Sequence, residues 1–396
     1  MSLNDTTSSE RVHIGFFGCT NAGKSSLLNA LTNQSVALVS DVRGTTTDVI
    51  RKSMEILPIG PCVIVDTAGF DDDSPLGKER IKNTKKAMDE VHAAVLVRDA
   101  SSAEKEADRE IEKLLIEKKI PYITVFNKAD MVDLREGGKL YVSAKTLGGI
   151  EELKKKLAEL VPTQSHKIKI VDSFIKKGDT VILVTPIDEA APKGRIILPQ
   201  QNVIRNLLDI GAVAITVQPE MLNASLEGLK DKPKCVITDS QAFSEVSKIL
   251  PEGILLTSFS ILFASYKGVL DESVRAVSKI EKLKDGDKIL IAEGCTHHRQ
   301  CNDIGTVKIP AWIKKHTGKN IEFEFTSGKG FPENLSSYAL VVHCGGCMIT
   351  EKDVSNRMEK AKEQNIPFTN YGILIAYMNG ILKKSIEVFP EIHNII

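Results

Sequence analysis

The chain has 396 residues, and at about 100 to 200 residues per domain this length favours several domains over a single hydrophobic core. Its 52 lysines and arginines balance 52 aspartates and glutamates. This balance lacks the basic excess that is typical of dedicated nucleic-acid binders, so we expect proteins or small molecules as partners and no nucleic acid.

The N-terminal residues 1–10 are polar, which predicts neither a signal peptide nor an anchor. The longest apolar stretch, 253–266, is interrupted by hydroxyl side chains and is shorter than the roughly 18 residues that a membrane span needs. We therefore expect a cytoplasmic protein without membrane contact. Seven cysteines, an odd number, favour metal ligands or buried thiols over a disulfide framework.

The first predicted element is a buried strand at 12–17, which is followed by a glycine-rich loop and then by a helix from Ser26 to Leu31. This order of strand, loop and helix is the context of a P-loop. Backbone N–H groups of such a loop surround phosphates, Lys24 reaches the β and γ oxygens, and the Ser25 hydroxyl binds Mg²⁺. The predicted phosphate-binding residues are Gly18, Asn21, Ala22, Gly23, Lys24, Ser25 and Ser26.

A second nucleotide motif follows the predicted strand 122–126, where the chain reads Asn127-Lys-Ala-Asp130. The Asp130 carboxylate can accept both N–H groups on the edge of guanine, which adenine does not offer. GTP is therefore the predicted nucleotide and GDP the product. The residues expected around the base are Asn127, Lys128, Asp130, Ser143, Ala144 and Lys145.

The magnesium and switch residues are predicted between these two motifs. Asp66 and Gly69 follow an apolar strand at 62–65, which places a carboxylate near Mg²⁺ and an N–H group near the γ-phosphate. One hydroxyl among three consecutive threonines, 45–47, is expected to bind Mg²⁺ beside Ser25; the pattern does not choose among them, and Thr46 is our candidate. With a closing amphipathic helix at 150–160, this part resembles a translation-factor-type GTPase domain.

Phe70 stands where Ras-like enzymes carry the glutamine that orients the attacking water. Asn21 resembles the P-loop asparagine of the tRNA-modification (TrmE-type) and Era-like GTPases, and this resemblance implies K⁺ beside the phosphates and slow, potassium-stimulated turnover. The alternative is that Asn21 only braces the loop. The residues expected to carry catalysis are Lys24, Asn21, Thr46, Asp66 and Gly69.

A polar segment containing a proline predicts a linker at about 161–172, and alternating strands and helices after it predict a small parallel α/β unit. The apolar segments 203–208 and 261–264 suit either a core helix or a homodimer face, and the core interpretation is favoured. Asp188 lies just past the predicted strand 181–184, where parallel sheets often place functional groups, and it is a candidate site residue; the alternative is a solvated loop carboxylate.

Soft metal donors follow two predicted strands in the last third of the chain. Cys295 and His297 come after the strand 287–292, and His343-Cys344-Gly-Gly-Cys347 comes after the strand 338–342. Parallel strands end at the same edge of a sheet, so we expect these donors to converge. Thiolate-rich sites suit both Zn²⁺ and iron–sulfur clusters. The predicted fold class is α/β with three domains: a P-loop GTPase at 1–165 and parallel α/β units at 172–270 and 271–396.

The C-x-H, long gap, H-C-x-x-C pattern on a GTPase chain resembles the [FeFe]-hydrogenase maturation GTPase family. The resemblance implies a [4Fe-4S] cluster on Cys295, Cys344 and Cys347. The candidates for the fourth ligand are His297, His343 and Asp188; the sequence does not rank them, and the alternative for His297 is a hydrogen bond to a sulfur or a bound precursor. It also implies a homodimer made through the middle domain. The implied role is a scaffold that takes a diiron precursor of the H-cluster from two radical-SAM maturases and delivers it to apo-[FeFe]-hydrogenase.

Two other interpretations remain at this stage. One is a tRNA-modification or ribosome-assembly GTPase with a structural zinc site, and the other is a redox-sensing switch whose cluster controls GTP turnover. The neutral charge balance and the absence of a G-x-x-G loop in a basic C-terminal domain weigh against the RNA-directed interpretation.

Overall fold

The computed structural model describes residues 11–32, 49–67, 69–70, 75–133, 136–161, 169–187, 196–294, 303–328 and 330–394. Four predicted site residues lie outside this part of the chain: Thr46, Asp188, Cys295 and His297. The chain divides into two units, residues 1–164 and residues 165–396.

The first unit is a sheet with helices on both faces. Its elements are β1 (Val12–Phe17), α1 (Lys24–Thr32), β2 (Ile50–Ile56), β3 (Gly60–Asp66), α2 (Pro75–Met88), β4 (Ala93–Asp99), α3 (Glu106–Glu117), β5 (Tyr122–Asn127), β6 (Leu140–Tyr141) and α4 (Ile150–Leu160). Over the described residues the strand order is β2-β3-β1-β4-β5-β6. The pairings are parallel, except that β2 runs antiparallel to β3.

The sequence explains these elements directly. Every residue of β1 is buried, as expected for a central parallel strand that is covered on both faces. The predicted closing helix is confirmed as α4, whose Ile150, Leu153 and Leu157 face the core at helical spacing.

The second unit contains two parallel sheets. Its elements are β7 (Thr180–Val184), α5 (Leu198–Ile210), β8 (Val213–Val217), α6 (Leu222–Glu227), β9 (Cys235–Thr238), α7 (Phe243–Ile249), β10 (Leu255–Ser258), α8 (Phe259–Tyr266), α9 (Leu270–Val277), β11 (Lys288–Glu293), α10 (Ile309–Thr317), β12 (Glu322–Ser327), β13 (Leu340–His343), α11 (Glu351–Glu363), β14 (Phe368–Asn370), α12 (Tyr371–Met378), α13 (Leu382–Ser385) and α14 (Pro390–His393). Among the strands that the structure describes, the orders are β10-β9-β7-β8 and β12-β11-β13-β14. The α/β fold class is confirmed.

Side chains from both sheets of the second unit belong to one hydrophobic cluster, which includes Ile182, Leu256, Ile291, Val342 and Phe368. The predicted boundary at residue 270 therefore falls inside a continuous core, and it stays a prediction. Residues 261–264 of α8 are fully buried, which confirms their interpretation as a core helix.

None of the described helices is long and apolar enough to cross a membrane.

Candidate functional site

The P-loop connects the end of β1 to the start of α1, and two of its glycines are required by the backbone. Gly18 has φ +150° and Gly23 has φ +84°, backbone conformations that residues with a Cβ rarely adopt. A Cβ on Gly18 would also lie 2.2 Å from the Val97 carbonyl oxygen. The loop therefore packs too closely against β4 for a larger residue at position 18.

Lys24 is the buried cation of this loop. Its Nζ donates to the carbonyl oxygens of Gly18 and Cys19, at 3.0 and 2.9 Å. The ammonium group thus lies within the turn where phosphate oxygens are expected. Asn21, with φ +63°, is exposed at the outer side of the same turn, and Ser26 lies in the first turn of α1.

Ser25 and Asp66 meet as predicted for a magnesium site. The Ser25 hydroxyl donates to Asp66 Oδ2 at 3.0 Å, although the two residues come from different elements. No described group bonds the buried Asp66 Oδ1, so this oxygen can accept from a metal-bound water. Burial raises the pKa of Asp66, and the Lys24 charge and the Ser25 hydrogen bond act against that rise. Hard oxygen donors of this kind fit Mg²⁺.

Gly69 approaches the P-loop closely. A Cβ on Gly69 would lie 2.1 Å from Thr20 Oγ1 and 2.6 Å from the Thr20 backbone nitrogen. The Gly69 backbone is therefore next to the phosphate loop, as expected for a residue whose N–H group contacts a γ-phosphate.

The base-side loops are tied to the P-loop by hydrogen bonds. Asn127 Nδ2 donates to the Ala22 carbonyl at 3.0 Å, and Asn127 Oδ1 accepts from the Ala144 N–H at 3.2 Å. The Ser143 hydroxyl donates to Asp130 Oδ1 at 2.6 Å, and this bond lowers the pKa of Asp130. Asp130 is thereby held ionised and in place for a guanine edge.

The two remaining predicted base-side residues are both lysines. Lys128 has φ +61° and forms an ion pair with Asp99 at 2.6 Å. The Lys145 charge helps to lower the pKa of Asp130. The predicted GTP residues that the structure describes therefore lie at one edge of the sheet, where β1, β3 and β5 end.

The cysteine turn of the second unit, residues 344–347, follows β13. Cys344 Sγ accepts hydrogen bonds from the N–H groups of Gly294 and Gly346, at 3.1 and 3.4 Å. Gly294 directly follows β11, so the predicted convergence of the two strand ends is confirmed for the described residues. Cys295 is the next residue, and it lies outside them.

The donors of this turn fit a thiolate-bound metal or cluster. Burial raises the pKa of Cys344, and it raises the pKa of Cys347 to about 11, while backbone N–H groups act in the opposite direction on both. Soft thiolates that accept N–H bonds are typical of zinc and iron–sulfur sites. Within the described ranges, no three His, Cys, Asp or Glu residues form a complete metal-binding group.

His343 packs behind the cysteine turn. Its Nδ1 lies 2.7 Å from the Cys344 carbonyl oxygen, its Nε2 lies 3.2 Å from Arg357 Nη1, and its ring stacks on Phe368. Burial and the Arg357 charge lower the pKa of His343 to about 3, so the ring is neutral. As a fourth ligand, His343 would have to give up one of these two hydrogen bonds.

Three residues beside the turn have no counterpart in the sequence predictions. Arg357 and Asp353 form an ion pair at 2.9 Å on α11, and Lys267 Nζ donates to the Ile349 carbonyl at 2.9 Å. The i, i+4 spacing of Asp353 and Arg357 is the only sequence signal, and such pairs are usually solvent-exposed.

Comparisons with known families cover nearly the whole chain. Residues 271–388 match the family model described as hydrogen maturase F tetramerization domain, and residues 170–268 match hydrogen maturase F dimerization domain. Residues 13–128 match the model described as 50S ribosome-binding GTPase.

Curated relatives match the first unit. The tRNA modification GTPase MnmE of Legionella pneumophila (strain Corby) is 38% identical over 152 residues, which are 37% of this chain and 34% of that protein. MnmE of Dichelobacter nodosus (strain VCS1703A) is 37% identical over 163 residues, with 39% and 36% covered. The chain thus spans about a third of the length of these relatives.

Solved structures of GTPases are also similar. A point variant of Era from Aquifex aeolicus, bound to GDP.AlF4⁻, has a TM-score of 0.35 and 18% identity, covering 52% of this chain and 93% of that one. NFeoB of S. thermophilus bound to GDP.AlF4⁻ and K⁺ has a TM-score of 0.32 and 25% identity, and the match covers 38% of this chain and 62% of that one.

Two adjacent models of one family cover more than half of the chain, and a GTPase model covers most of the first unit. The predicted family and the predicted GTP hydrolysis are both confirmed. The dimerization and tetramerization domains further indicate self-association. The chain therefore belongs to the hydrogen maturase F family, and its nucleotide domain is similar to that of MnmE.

Proposed function

We propose that this chain is a GTP-controlled scaffold that binds a [4Fe-4S] cluster through Cys295, Cys344 and Cys347. On this scaffold it holds a diiron precursor of the H-cluster. It receives the precursor from two radical-SAM maturases and passes it to apo-[FeFe]-hydrogenase. One observation supports the proposal most directly. The Cys344 sulfur accepts hydrogen bonds from two backbone N–H groups at the point where two parallel strands end.

Three cysteines suit a scaffold better than four. A [4Fe-4S] cluster bound by three cysteines would have a fourth iron whose ligand can be exchanged. A second iron unit could dock at that iron. Asp188 and His297 are our candidates for that fourth position. Gly346, with φ +63°, permits the tight turn between Cys344 and Cys347 that lets both sulfurs face one cluster.

GTP has a regulatory part in this proposal. Lys24 and the loop N–H groups bind the phosphates, and Ser25, Asp66 and Thr46 bind Mg²⁺ directly or through water. Asn21, which is exposed on the P-loop, is our candidate ligand for K⁺, and K⁺ bound there would give slow, potassium-stimulated hydrolysis. Hydrolysis then changes the affinity for partner proteins without supplying chemistry at the cysteines.

The middle sheet supports a homodimer. It ends at β8, where Val213 is half exposed, and Leu208 and Met221 nearby are more than half exposed. An edge strand with apolar side chains favours association with another chain. Because these residues belong to the segment that matches a dimerization domain, a second copy of this chain is the proposed occupant.

Anaerobic reconstitution of the full chain with iron and sulfide tests the proposal. We expect about four iron atoms per chain, a brown colour and an EPR signal after reduction. A Cys347→Ser variant should lose most of the iron. The matched control is Cys235→Ala, which removes a buried thiol of β9 that takes no part in the turn. A colourless protein that retains zinc would overturn the proposal and favour a GTPase with a structural zinc site.

A further inference from the structure

We propose that Arg357 and Asp353 form a clamp on His343, and that this clamp makes His343 a positioning residue for the cysteine turn rather than an iron ligand. The inference rests on the cluster binding proposed above. It assigns a role to two residues of α11 that do not belong to the cysteine and histidine pattern.

The clamp begins with a buried guanidinium. Arg357 is only 5% exposed, and its donors point in three fixed directions. Nε donates to Asp353 Oδ1 at 2.9 Å, Nη2 donates to the Gly328 carbonyl at 2.7 Å, and Nη1 donates to His343 Nε2 at 3.2 Å. The Phe331 ring lies 5.3 Å from Arg357 Cζ. The guanidinium is planar and always protonated, so it cannot accept a hydrogen bond in return.

This arrangement fixes the tautomer of His343. Because Arg357 can only donate, His343 Nε2 must be the acceptor, and the ring proton is therefore on Nδ1. From Nδ1 it is donated to the Cys344 carbonyl oxygen at 2.7 Å. The stacked Phe368 ring, with its centroid 5.6 Å away, limits rotation of the imidazole.

The end of this hydrogen-bond chain is the Cys344 backbone. The clamp holds the Cys344 carbonyl, while the N–H groups of Gly294 and Gly346 hold its sulfur. The sulfur is thus fixed from two sides before any metal binds. If the imidazole bound iron through Nε2, the buried guanidinium would lose an acceptor, and if it bound through Nδ1, the Cys344 carbonyl would lose its donor. Either way a buried polar group would be left without a partner, which is unfavourable.

A first experiment needs no cluster. A long-range ¹H–¹⁵N spectrum of the metal-free full chain, labelled with ¹⁵N-histidine, reports the tautomer of His343, which is assigned by the signal missing in a His343→Gln variant. We expect the Nδ1–H form in the wild type and at least partial conversion to the Nε2–H form in Arg357→Met. A wild-type ring protonated at Nε2 would overturn the proposal.

A second experiment uses the reconstituted full chain and pulsed EPR of the reduced cluster. Any strong ¹⁴N coupling of the wild type should persist in His343→Gln, whose amide can still accept from Arg357 and donate to the Cys344 carbonyl. Arg357→Met should change the g-values or lower the iron content at least about twofold, and Arg357→Lys should restore part of the loss.

The matched control is Arg275→Met. Arg275 pairs with Asp271 at the same i, i+4 spacing, at 2.8 Å, but it is exposed on α9. We expect the iron content and g-values of this variant to equal those of the wild type.

The proposal is overturned if strong ¹⁴N coupling disappears in His343→Gln but remains in His297→Gln. It is also overturned if Arg357→Met leaves the tautomer, iron content and g-values unchanged. If Arg357→Met does not fold, the tautomer of His343 in the wild-type spectrum still tests the clamp. A wild type that takes up no iron overturns the proposed cluster instead, and the histidine spectrum then tests the clamp alone.

Discussion

Two buried cations lie beside the cysteine turn. Arg357 is neutralised by Asp353 on its own helix, whereas Lys267 reaches the turn from the end of α8 and donates to the Ile349 carbonyl. The positive charge of Lys267 lowers the pKa of Cys347, against the effect of burial. A cation in this place favours negative charge on the sulfur.

We expect Lys267→Met to make the reduction potential of the reconstituted cluster more negative. The substitution keeps most of the side-chain length and removes the charge, and the loss of ~1 kcal/mol of electrostatic stabilisation corresponds to a shift of about 40 mV for one electron. An EPR-monitored redox titration measures the shift. Lys279→Met, at an exposed position in the same unit, should leave the potential unchanged. An unchanged or more positive potential in Lys267→Met would contradict this role.

The sequence predicted nucleotide residues better than the surroundings of the cysteines. Gly18 to Ser25 are contiguous, so local geometry alone sets their spacing, and the structure places Lys24 inside the loop. Lys267 is far from Cys347 along the chain and reaches the turn only through packing. Asp353 and Arg357 look like a solvated helix pair, because nothing in their spacing shows that the helix face is buried.

At the scale of elements, the N-termini of α8 and α12 lie side by side in the second unit and are hydrogen-bonded to each other. Ser258 caps the N-terminus of α8, and Asn370 caps that of α12. The Ser260 hydroxyl donates to Asn370 Oδ1 at 3.0 Å and accepts from the Gly372 N–H at 3.2 Å. These bonds join an element of the middle sheet to an element of the last sheet.

Gly372 allows this close approach, and we expect Gly372→Ala to destabilise the second unit. A Cβ at this position would lie 2.7 Å from Ser260 Cβ and 3.1 Å from Ser240 Oγ, so one of the helices must shift. Overpacking of this kind costs about 1–3 kcal/mol and should lower the Tm by several degrees, as measured by calorimetry. Gly137→Ala, where the new methyl would have no neighbour within 4 Å, is the control. Equal Tm values for both variants would show that the joint tolerates the methyl group.

The sequence predicted the elements with strong apolar runs and did not predict the weaker ones. β1, β7 and β11 are buried runs that end at loops with candidate site residues, and they lie where the sequence predicts them. β2 is largely exposed and polar, so its sequence has no continuous apolar run that would predict a strand. β14 has three residues, too few for a pattern, and it becomes a strand because β13 offers it a partner.

At the scale of the molecule, the exposed edge of the middle sheet, at β8, predicts where two copies of the chain meet. We expect Val213→Asp to shift the full chain from dimer to monomer, because a carboxylate on an apolar edge strand cannot be buried against a second copy without a partner charge. Light scattering coupled to size-exclusion chromatography measures the mass. Leu57→Asp removes an apolar side chain that is also exposed, in the first unit, and should leave the mass unchanged. A Val213→Asp chain that stays dimeric would place the interface elsewhere.

Each unit has hydrophobic cores of its own. Among the described residues, two clusters are made of side chains from the first unit alone, and two others are made of side chains from the second unit alone. The nucleotide residues depend on the first set, and the cysteine turn depends on the second. Damage to one site should therefore leave the fold of the other intact.

This separation gives a reciprocal prediction for the full chain. Lys24→Ala removes the buried ammonium and should weaken GTP binding about 100-fold, on the scale of ~3 kcal/mol for charge-assisted bonds, while the iron content after reconstitution stays at the wild-type level. Cys347→Ser should lose the iron and keep GTP hydrolysis. Filter binding, phosphate release and iron analysis measure these effects. If Lys24→Ala also lost its iron, the two sites would share a folding unit; if it kept both its iron and its normal exchange with partner proteins, GTP would not control the scaffold.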